Sequence, residues 1–257
     1  MALPKKPEEI ELMRVGGRRL AQVVRSVATR VAPGVSTAEL NEYAEALIRE
    51  GGDTPAFLGY TPHGAKRPYP ATMCISVNDA VVHGIPNEEP LVLRDGDVVS
   101  LDCGLVHQGL IVDHAITVVA GTPDERAQRL MTASQEALDA AISVVKDGAH
   151  VGDIGEAVEE VAMRYNLGIA YELGGHGVGY AVHEEPYIGN TGERGSGERL
   201  VSGMVLALEP ILTEGMDGRV KLAKDGYTYR TKDGTRAAHF EHTIVVTEGG
   251  AEILTTL

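Results

Sequence analysis

The sequence predicts an α+β fold in which helices group on one face of a mostly antiparallel sheet, leaving the other face to form a site. Three observations point to it. The order of two helices followed by strands occurs twice along the 257 residues. The strand-like segments are rich in Val and Ile and are separated by Gly, Pro and Asn/Asp. Placing Gly34 on Gly148 brings Leu40 onto Ile154, Glu42 onto Glu156 and Glu45 onto Glu159 without a gap, and the helix-capping acids Glu39 and Asp153 coincide as well. The chain therefore reads as a single domain, within the size one core can reach, built of two related halves at about 1–121 and about 122–257.

The elements follow in order. Pro7-Glu8-Glu9 opens a helix whose apolar positions Ile10, Met13, Leu20, Val23, Val24, Val27 and Val31 recur mostly at three- and four-residue steps, and Pro33-Gly34 stops it. A second helix starts at the capping box Ser36-x-x-Glu39 and ends at Gly51-Gly52. Strands are expected over 72–85, 97–106 and 110–120. The next helix is expected to begin at Thr122-Pro123-Asp124-Glu125, with Pro at its first position, and to reach Lys146; another spans about Asp153 to Tyr165. Strands return at 204–212 and 239–247, with the glycine-rich stretch 189–203 as loop.

Composition narrows the function. With 23 Lys+Arg against 37 Asp+Glu the net charge is -14, which argues against a duplex DNA binder. Cys74 and Cys103 form no disulfide framework and no C-x-x-C pair, so a reducing compartment is the default. Residues Met1 to Glu11 lack the apolar stretch of a signal peptide, and no apolar run approaches the roughly 20 residues needed to span a bilayer. A cytoplasmic protein is expected. The first 30 residues carry seven basic side chains against three glutamates, most simply a solvated helix face.

Four acids do not fit a solvated surface. Asp102 lies in Val98-Val99-Ser100-Leu101-Asp102-Cys103, Asp113 ends Leu110-Ile111-Val112-Asp113, Glu209 ends Val205-Leu206-Ala207-Leu208-Glu209, and Glu241 precedes Thr243-Ile244-Val245-Val246. Burying an ionised carboxylate costs several kcal/mol unless it is paired or bound to a metal. None of the four windows contains Lys or Arg; two divalent cations would balance the four charges. His176, flanked by Gly175 and Gly177 where backbone or a ligand can approach closely, is a candidate fifth ligand, and His83 stands just before a glycine turn at a strand end. An oxygen-rich set with one imidazole favours Mn, Fe(II) or Co over thiolate-type structural zinc. Other motifs fall away. His183-Glu184-Glu185 has Tyr187 where a zincin helix needs its second histidine, there is no G-x-S-x-G elbow, and Gly175-x-Gly177-x-Gly179 has the wrong final spacing for a dinucleotide fingerprint.

Taken together, the motifs resemble those of the type I methionine aminopeptidases of the peptidase M24 family, over essentially the whole chain. The match covers Pro7-Glu8-Glu9-Ile10-Glu11-Leu12-Met13-Arg14, Val82-His83-Gly84-Ile85-Pro86, Gly96 to Asp102, Gly175 to Gly179, His183-Glu184-Glu185-Pro186, Leu208-Glu209-Pro210 and Glu241 to Thr247. The resemblance implies the pita-bread (creatinase/aminopeptidase) fold. It implies removal of the N-terminal methionine from peptides and nascent proteins whose second residue is small, by hydrolysis with a metal-bridged water or hydroxide. Asp102, Asp113, His176, Glu209 and Glu241 would hold two divalent ions (Co, Mn or Fe(II), with Zn also admitted), Asp113 and Glu241 bridging. Glu209 would accept the proton of the attacking water, and His83 and His183 would contact the scissile amide and its carbonyl. Methionine would fill a pocket of Tyr69, Cys74, Val182 and Tyr227. The implied protein is a monomer with no membrane and no DNA partner. Two relatives of the same fold are alternatives: an Xaa-Pro peptidase, which usually carries a large extra N-terminal domain, and a non-catalytic binding protein, which typically loses the ligands that all stand here.

Departures from the family pattern are local. Eight residues, Thr61 to Pro68, separate Tyr60 from Tyr69 where the family usually has two, which leaves the pocket rim open. Val112 and His114 flank Asp113 where Gly and a small residue are usual, and Val182 replaces a frequent aromatic, which would widen the pocket. The basic insertion around Lys66-Arg67 is a candidate for weak contact with the ribosome.

Overall fold

The computed structural model describes residues 3–257. Four helices, α1 (Pro7–Ala28), α2 (Thr37–Glu50), α3 (Glu125–Val144) and α4 (Val151–Tyr165), alternate in pairs with fifteen strands. In the first half these are β1 (Thr54–Pro55), β2 (Met73–Val77), β3 (Ala80–Val82), β4 (Val98–His107) and β5 (Leu110–Val119). In the second they are β6 (Gly168–Ile169), β7 (Gly174–Gly177), β8 (Glu184–Gly189), β9 (Val205–Leu208), β10 (Ile211–Thr213), β11 (Val220–Leu222), β12 (Tyr229–Thr231), β13 (Ala237–His239), β14 (Glu241–Thr247) and β15 (Gly250–Ile253). The main sheet runs β1-β4-β5-β14-β9-β7-β8, with β2 added to β4 and β15 to β14, and β13-β10-β6 and β11-β12-β3 form two small sheets. Adjacent strands pair antiparallel, as in β4 with β5 and β14 with β9. Among the described residues no helix is long and apolar enough to cross a membrane.

Helix ends follow local chemistry, with small corrections to the expected boundaries. Ser36 caps α2 through Ala38 N while Glu39 reaches back to Ser36 N at 2.8 Å. In α4 Asp153 makes the same return contact to His150 N at 2.8 Å, so the helix starts two residues before the acid that signals it. Asp124 rather than Thr122 caps α3, accepting from Ala127 N, which leaves Pro123 outside the helix, and α3 ends at Val144 rather than Lys146. Helix α1 ends at Ala28, and Val31 packs beyond it against the same core. Internal likeness goes further than the helices: Gly34 and Gly148 both take positive φ, and Ser36 bridges Val92 as His150 bridges Arg199.

Two apolar cores lie between the helices and one face of the sheet. Leu20, Val24 and Val27 of α1 and Leu40 of α2 pack on Val99, Leu101, Cys103 and Leu105 of β4 and Val112 of β5. Leu130, Ala137 and Leu138 of α3 and Ile154 and Val158 of α4 pack on Leu206, Leu208 and Ile244. At about 1.5–3 kcal/mol for each fully buried aliphatic side chain, this burial fixes strand register. Alternation then sends Asp102, between Leu101 and Cys103, to the opposite face.

The expected strand over 204–212 is split at Glu209-Pro210 into β9 and β10, and that over 72–85 at the turn residue Asn78. The segment around His176 is itself a strand, β7. A Cβ on Gly175 would lie 2.3 Å from the Ala207 carbonyl oxygen and one on Gly177 2.2 Å from that of Glu185. Close approach by neighbouring strands explains both glycines.

Candidate metal centre and its cleft

Five contiguous strands of the main sheet carry the five ligand candidates. Asp102 on β4 and Glu241 on β14 both stand opposite Ala115 of β5, and Asp113 on β5 stands opposite Gly104. The small Ala115 leaves room between the two acids. Glu209 follows the end of β9, and His176 on β7 pairs with Ala207 of β9. Thr243 Oγ1 donates to the Asp113 carbonyl at 2.7 Å and accepts from its N–H at 2.8 Å, tying β14 to β5 beside the site.

Ligand atoms of Asp113, His176 and Glu241 all lie within 4.8 Å of one another. His176 Nδ1 lies 2.9 Å from the Gly177 carbonyl, which can only accept. Its proton is therefore on Nδ1, and Nε2 turns a lone pair towards Glu209 Oε1 at 3.5 Å. Asp102, Asp113, His176 and Glu241 are all buried, and Asp102 Oδ1 and Glu241 Oε1 have no hydrogen-bond partner.

The electrostatics follow from that burial. Desolvation first, then the neighbouring acids Asp113 and Glu209, push Asp102 well above the ordinary carboxylate range, and Glu241 rises for the same reasons. Asp113 is raised by desolvation to about 6, with His176 and His239 pulling the other way. At Glu209 desolvation also raises the pKa, but the imidazoles of His239, His176 and His83 outweigh it and hold the group low. No Lys or Arg lines this cleft. Clustered acids with orphaned oxygens and one lone-pair imidazole are a donor set that suits divalent cations.

The cleft that these acids line holds about 520 Å³ of empty space, part of it open to solvent. Its apolar end brings together Tyr69, Cys74, Val182 and Tyr227, the residues expected for the pocket, and adds Phe57, Tyr60 and Pro62. Tyr69 donates to the Gly84 carbonyl at 2.9 Å and meets Tyr227 edge-on at 5.1 Å. The longer segment between Tyr60 and Tyr69 leaves this rim intact. Tyr60 and Tyr69 close its base, Gly59 N donating to Tyr69 O at 2.9 Å and Tyr69 N to Tyr60 O at 2.8 Å. Arg67 holds both Glu88 oxygens and the Asp225 carbonyl, and Tyr227 donates its hydroxyl to the Arg67 carbonyl.

His83 and His183 flank the acids. His83 sits past the end of β3 at φ 58°, a left-handed conformation that is costly for a non-glycine residue. The His183 ring lies 4.5 Å from that of His176, and its Nδ1 is 3.0 Å from the Tyr60 hydroxyl. Desolvation lowers both histidines, His183 to about 4, which keeps its imidazole neutral near pH 7.

The loop carrying Val182 and His183 is folded around a buried charge pair. Lys5 Nζ lies 2.7 Å from Glu184 Oε2 and 4.2 Å from the Tyr180 ring centre, while Glu184 Oε1 accepts from the N–H groups of Tyr180 and Ala181. Sequence reasoning missed Lys5, whose partner is distant in the chain. It also missed His239, although a histidine in Ala237-Ala238-His239-Phe240 meets the criterion that singled out the acids. His239 is 2% exposed, lines the cleft and points Nε2 at Glu209 Oε2 from 3.3 Å.

A profile of "Metallopeptidase family M24" matches residues 11–248. A methionine aminopeptidase from Aquifex aeolicus is 46% identical over 253 residues, covering 97% of this chain and 96% of that protein. The crystal structure of a methionine aminopeptidase from Thermotoga maritima superposes with TM-score 0.94 at 40% identity, covering both chains completely. A prolidase from Pyrococcus furiosus shares the fold, with TM-score 0.77 at 23% identity, but this chain covers only 66% of it. The fold is the pita-bread fold, and the chain belongs to metallopeptidase family M24, among its methionine aminopeptidases.

Proposed function

We propose that this cleft removes the N-terminal methionine from peptides and nascent proteins whose second residue is small, and that Asp102, Asp113, His176, Glu209 and Glu241 hold two divalent ions, Mn, Fe(II), Co or Zn, for that purpose. The observation that carries the reading is the convergence of these five side chains beside an apolar pocket, with unpartnered buried oxygens on two of them. Bound divalent ions supply Lewis acidity for the peptide carbonyl and make a water easier to deprotonate. The protein does the rest. The pocket of Phe57, Tyr69, Cys74, Val182 and Tyr227 takes the methionine side chain and excludes water from it. Glu209, held ionised by its imidazole neighbours, accepts the proton of the attacking water and passes it to the leaving amine. His183, neutral and oriented by Tyr60, and His83 contact the scissile carbonyl and amide. A second opening bounded by Leu173, Glu185, Tyr187 and Ile211 meets the first at His83, His176, His183 and Glu209, and gives the rest of the peptide a way out.

The two helix-helix-strand halves, about 1–121 and 122–257, act as one catalytic domain in this reading, as a cytoplasmic monomer. Of the insertion's two cations, Arg67 is committed to Glu88 and Asp225, so Lys66, which is exposed, and the exposed arginines Arg18 and Arg25 of α1 are where weak ribosome contact would be made. The deciding experiment is release of methionine from Met-Ala-Ser and Met-Leu-Ser peptides with and without added Mn, Fe(II) or Co. The proposal expects metal-dependent release from the first and little from the second; release from neither under any metal would reject it.

A further inference from the structure

We infer that His239 is an additional ligand of the metal centre, giving it a second imidazole besides His176; the inference rests on the reading of this cleft as a metal centre. Among the described residues three buried side-chain nitrogen or oxygen atoms lack a hydrogen-bond partner: Asp102 Oδ1, Glu241 Oε1 and His239 Nε2. All three belong to residues lining one cleft. Two of them are on acids that their place against apolar strands had already singled out, and the third satisfies the same test of a buried atom without a partner.

The surroundings of His239 favour coordination over a hydrogen bond. Its Nε2 lies 3.3 Å from Glu209 Oε2 and 3.8 Å from Glu241 Oε2, one contact poorly directed and the other too long to count as hydrogen bonds. An imidazole nitrogen buried against two carboxylates with no well-directed hydrogen bond to either is left without a partner. A cation shared among them makes each contact attractive, and a buried polar atom otherwise left unmatched gains a partner. The backbone is fixed from two sides. His239 N–H donates to Thr117 Oγ1 at 2.9 Å, that hydroxyl donates to the His239 carbonyl at 2.7 Å, and His239 pairs with Ile211 in β10, close to Glu209. These contacts fix the backbone from which the imidazole projects into the cleft. Four carboxylates with two imidazoles have more nitrogen character than four with one, which moves the preference from manganese towards iron, cobalt or zinc.

The test uses the full chain labelled with ¹⁵N-histidine, observed by long-range ¹H–¹⁵N NMR before and after saturation with Zn(II) alone. Two imidazoles are expected to move to metal-bound nitrogen shifts, one of them lost in His176→Gln and the other in His239→Gln. Zn(II) affinity in His239→Gln should fall at least roughly tenfold, the lower end of what even supporting residues of metal sites cost. A single metal-bound imidazole in the unsubstituted chain, or an unchanged pair in His239→Gln, would overturn the inference while leaving the metal centre standing. No metal-bound histidine and no Zn(II) binding would overturn both. The count in the unsubstituted chain decides the matter even where a variant folds poorly.

Discussion

Replacing Lys5 by Met tests whether the N-terminal segment positions the loop of Val182 and His183. The ammonium is 1% exposed and 2.7 Å from Glu184, whose side chain is 16% exposed. Removing one partner of a buried ion pair typically costs about 3–5 kcal/mol, because the other charge is left without compensation. Here the cost should sit at the lower end. Glu184 keeps two backbone donors and some water, and methionine retains the apolar stem beside Met13, which lies near the same glycine, Gly179, that Lys5 crowds. About 3 kcal/mol corresponds to roughly a hundredfold change in an equilibrium constant. Taken up locally, as release of the loop, it appears in kcat/KM for Met-Ala-Ser, with the urea midpoint little changed; taken up by the whole fold, it moves the midpoint instead. Both are measured on the same samples, together with Glu184→Gln and the double variant. The double variant should be no worse than the more damaged single one, since each already breaks the pair. A Lys5→Met chain within twofold of wild type in both kcat/KM and stability would refute the reasoning.

Further outcomes follow from the same geometry. Glu209→Gln should lower turnover by about 10²–10⁴-fold, the usual size of a general acid–base contribution, with an unchanged far-ultraviolet spectrum; wild-type rates would remove its role. Metal affinity should rise with pH through about 6 and beyond, because Asp113 is protonated below that value, Asp102 and Glu241 are raised as well, and these protons must leave before the carboxylates can bind. Calorimetry between pH 5 and 8 in buffers of differing ionisation enthalpy measures this, and Mn(II) binding that releases no proton at pH 6 would contradict it. Tyr60→Phe removes the hydroxyl 3.0 Å from His183 Nδ1. At about 1 kcal/mol for a hydrogen bond, a several-fold fall in kcat/KM at constant stability is expected, checked by steady-state kinetics.

What the sequence determined by itself was everything carried by local pattern. Capping boxes and apolar periodicity placed the four helices to within a few residues. Acids interrupting Val/Ile-rich runs marked Asp102, Asp113, Glu209 and Glu241 before any fold was known, because a charge between buried neighbours has few explanations. Glycine in β7 signals close approach, and it is the neighbouring strands that approach. The short strands β6, β8 and β11 to β13 carry no periodic signal, since two to six residues of mixed polarity look like loop until a neighbour supplies their hydrogen bonds. Tertiary structure alone decided three things. It brought Tyr60 and Tyr69 together across an insertion whose length is immaterial once its base is paired. It joined Lys5 to Glu184, a contact no local spacing encodes. And it turned His239 inwards beside Glu209, where packing against Thr117 and Ile211 sets the direction of a side chain that sequence can only name. The physical reason is common to all three: a side chain's type is written in its own codon, but its partners are chosen by the fold that buries it.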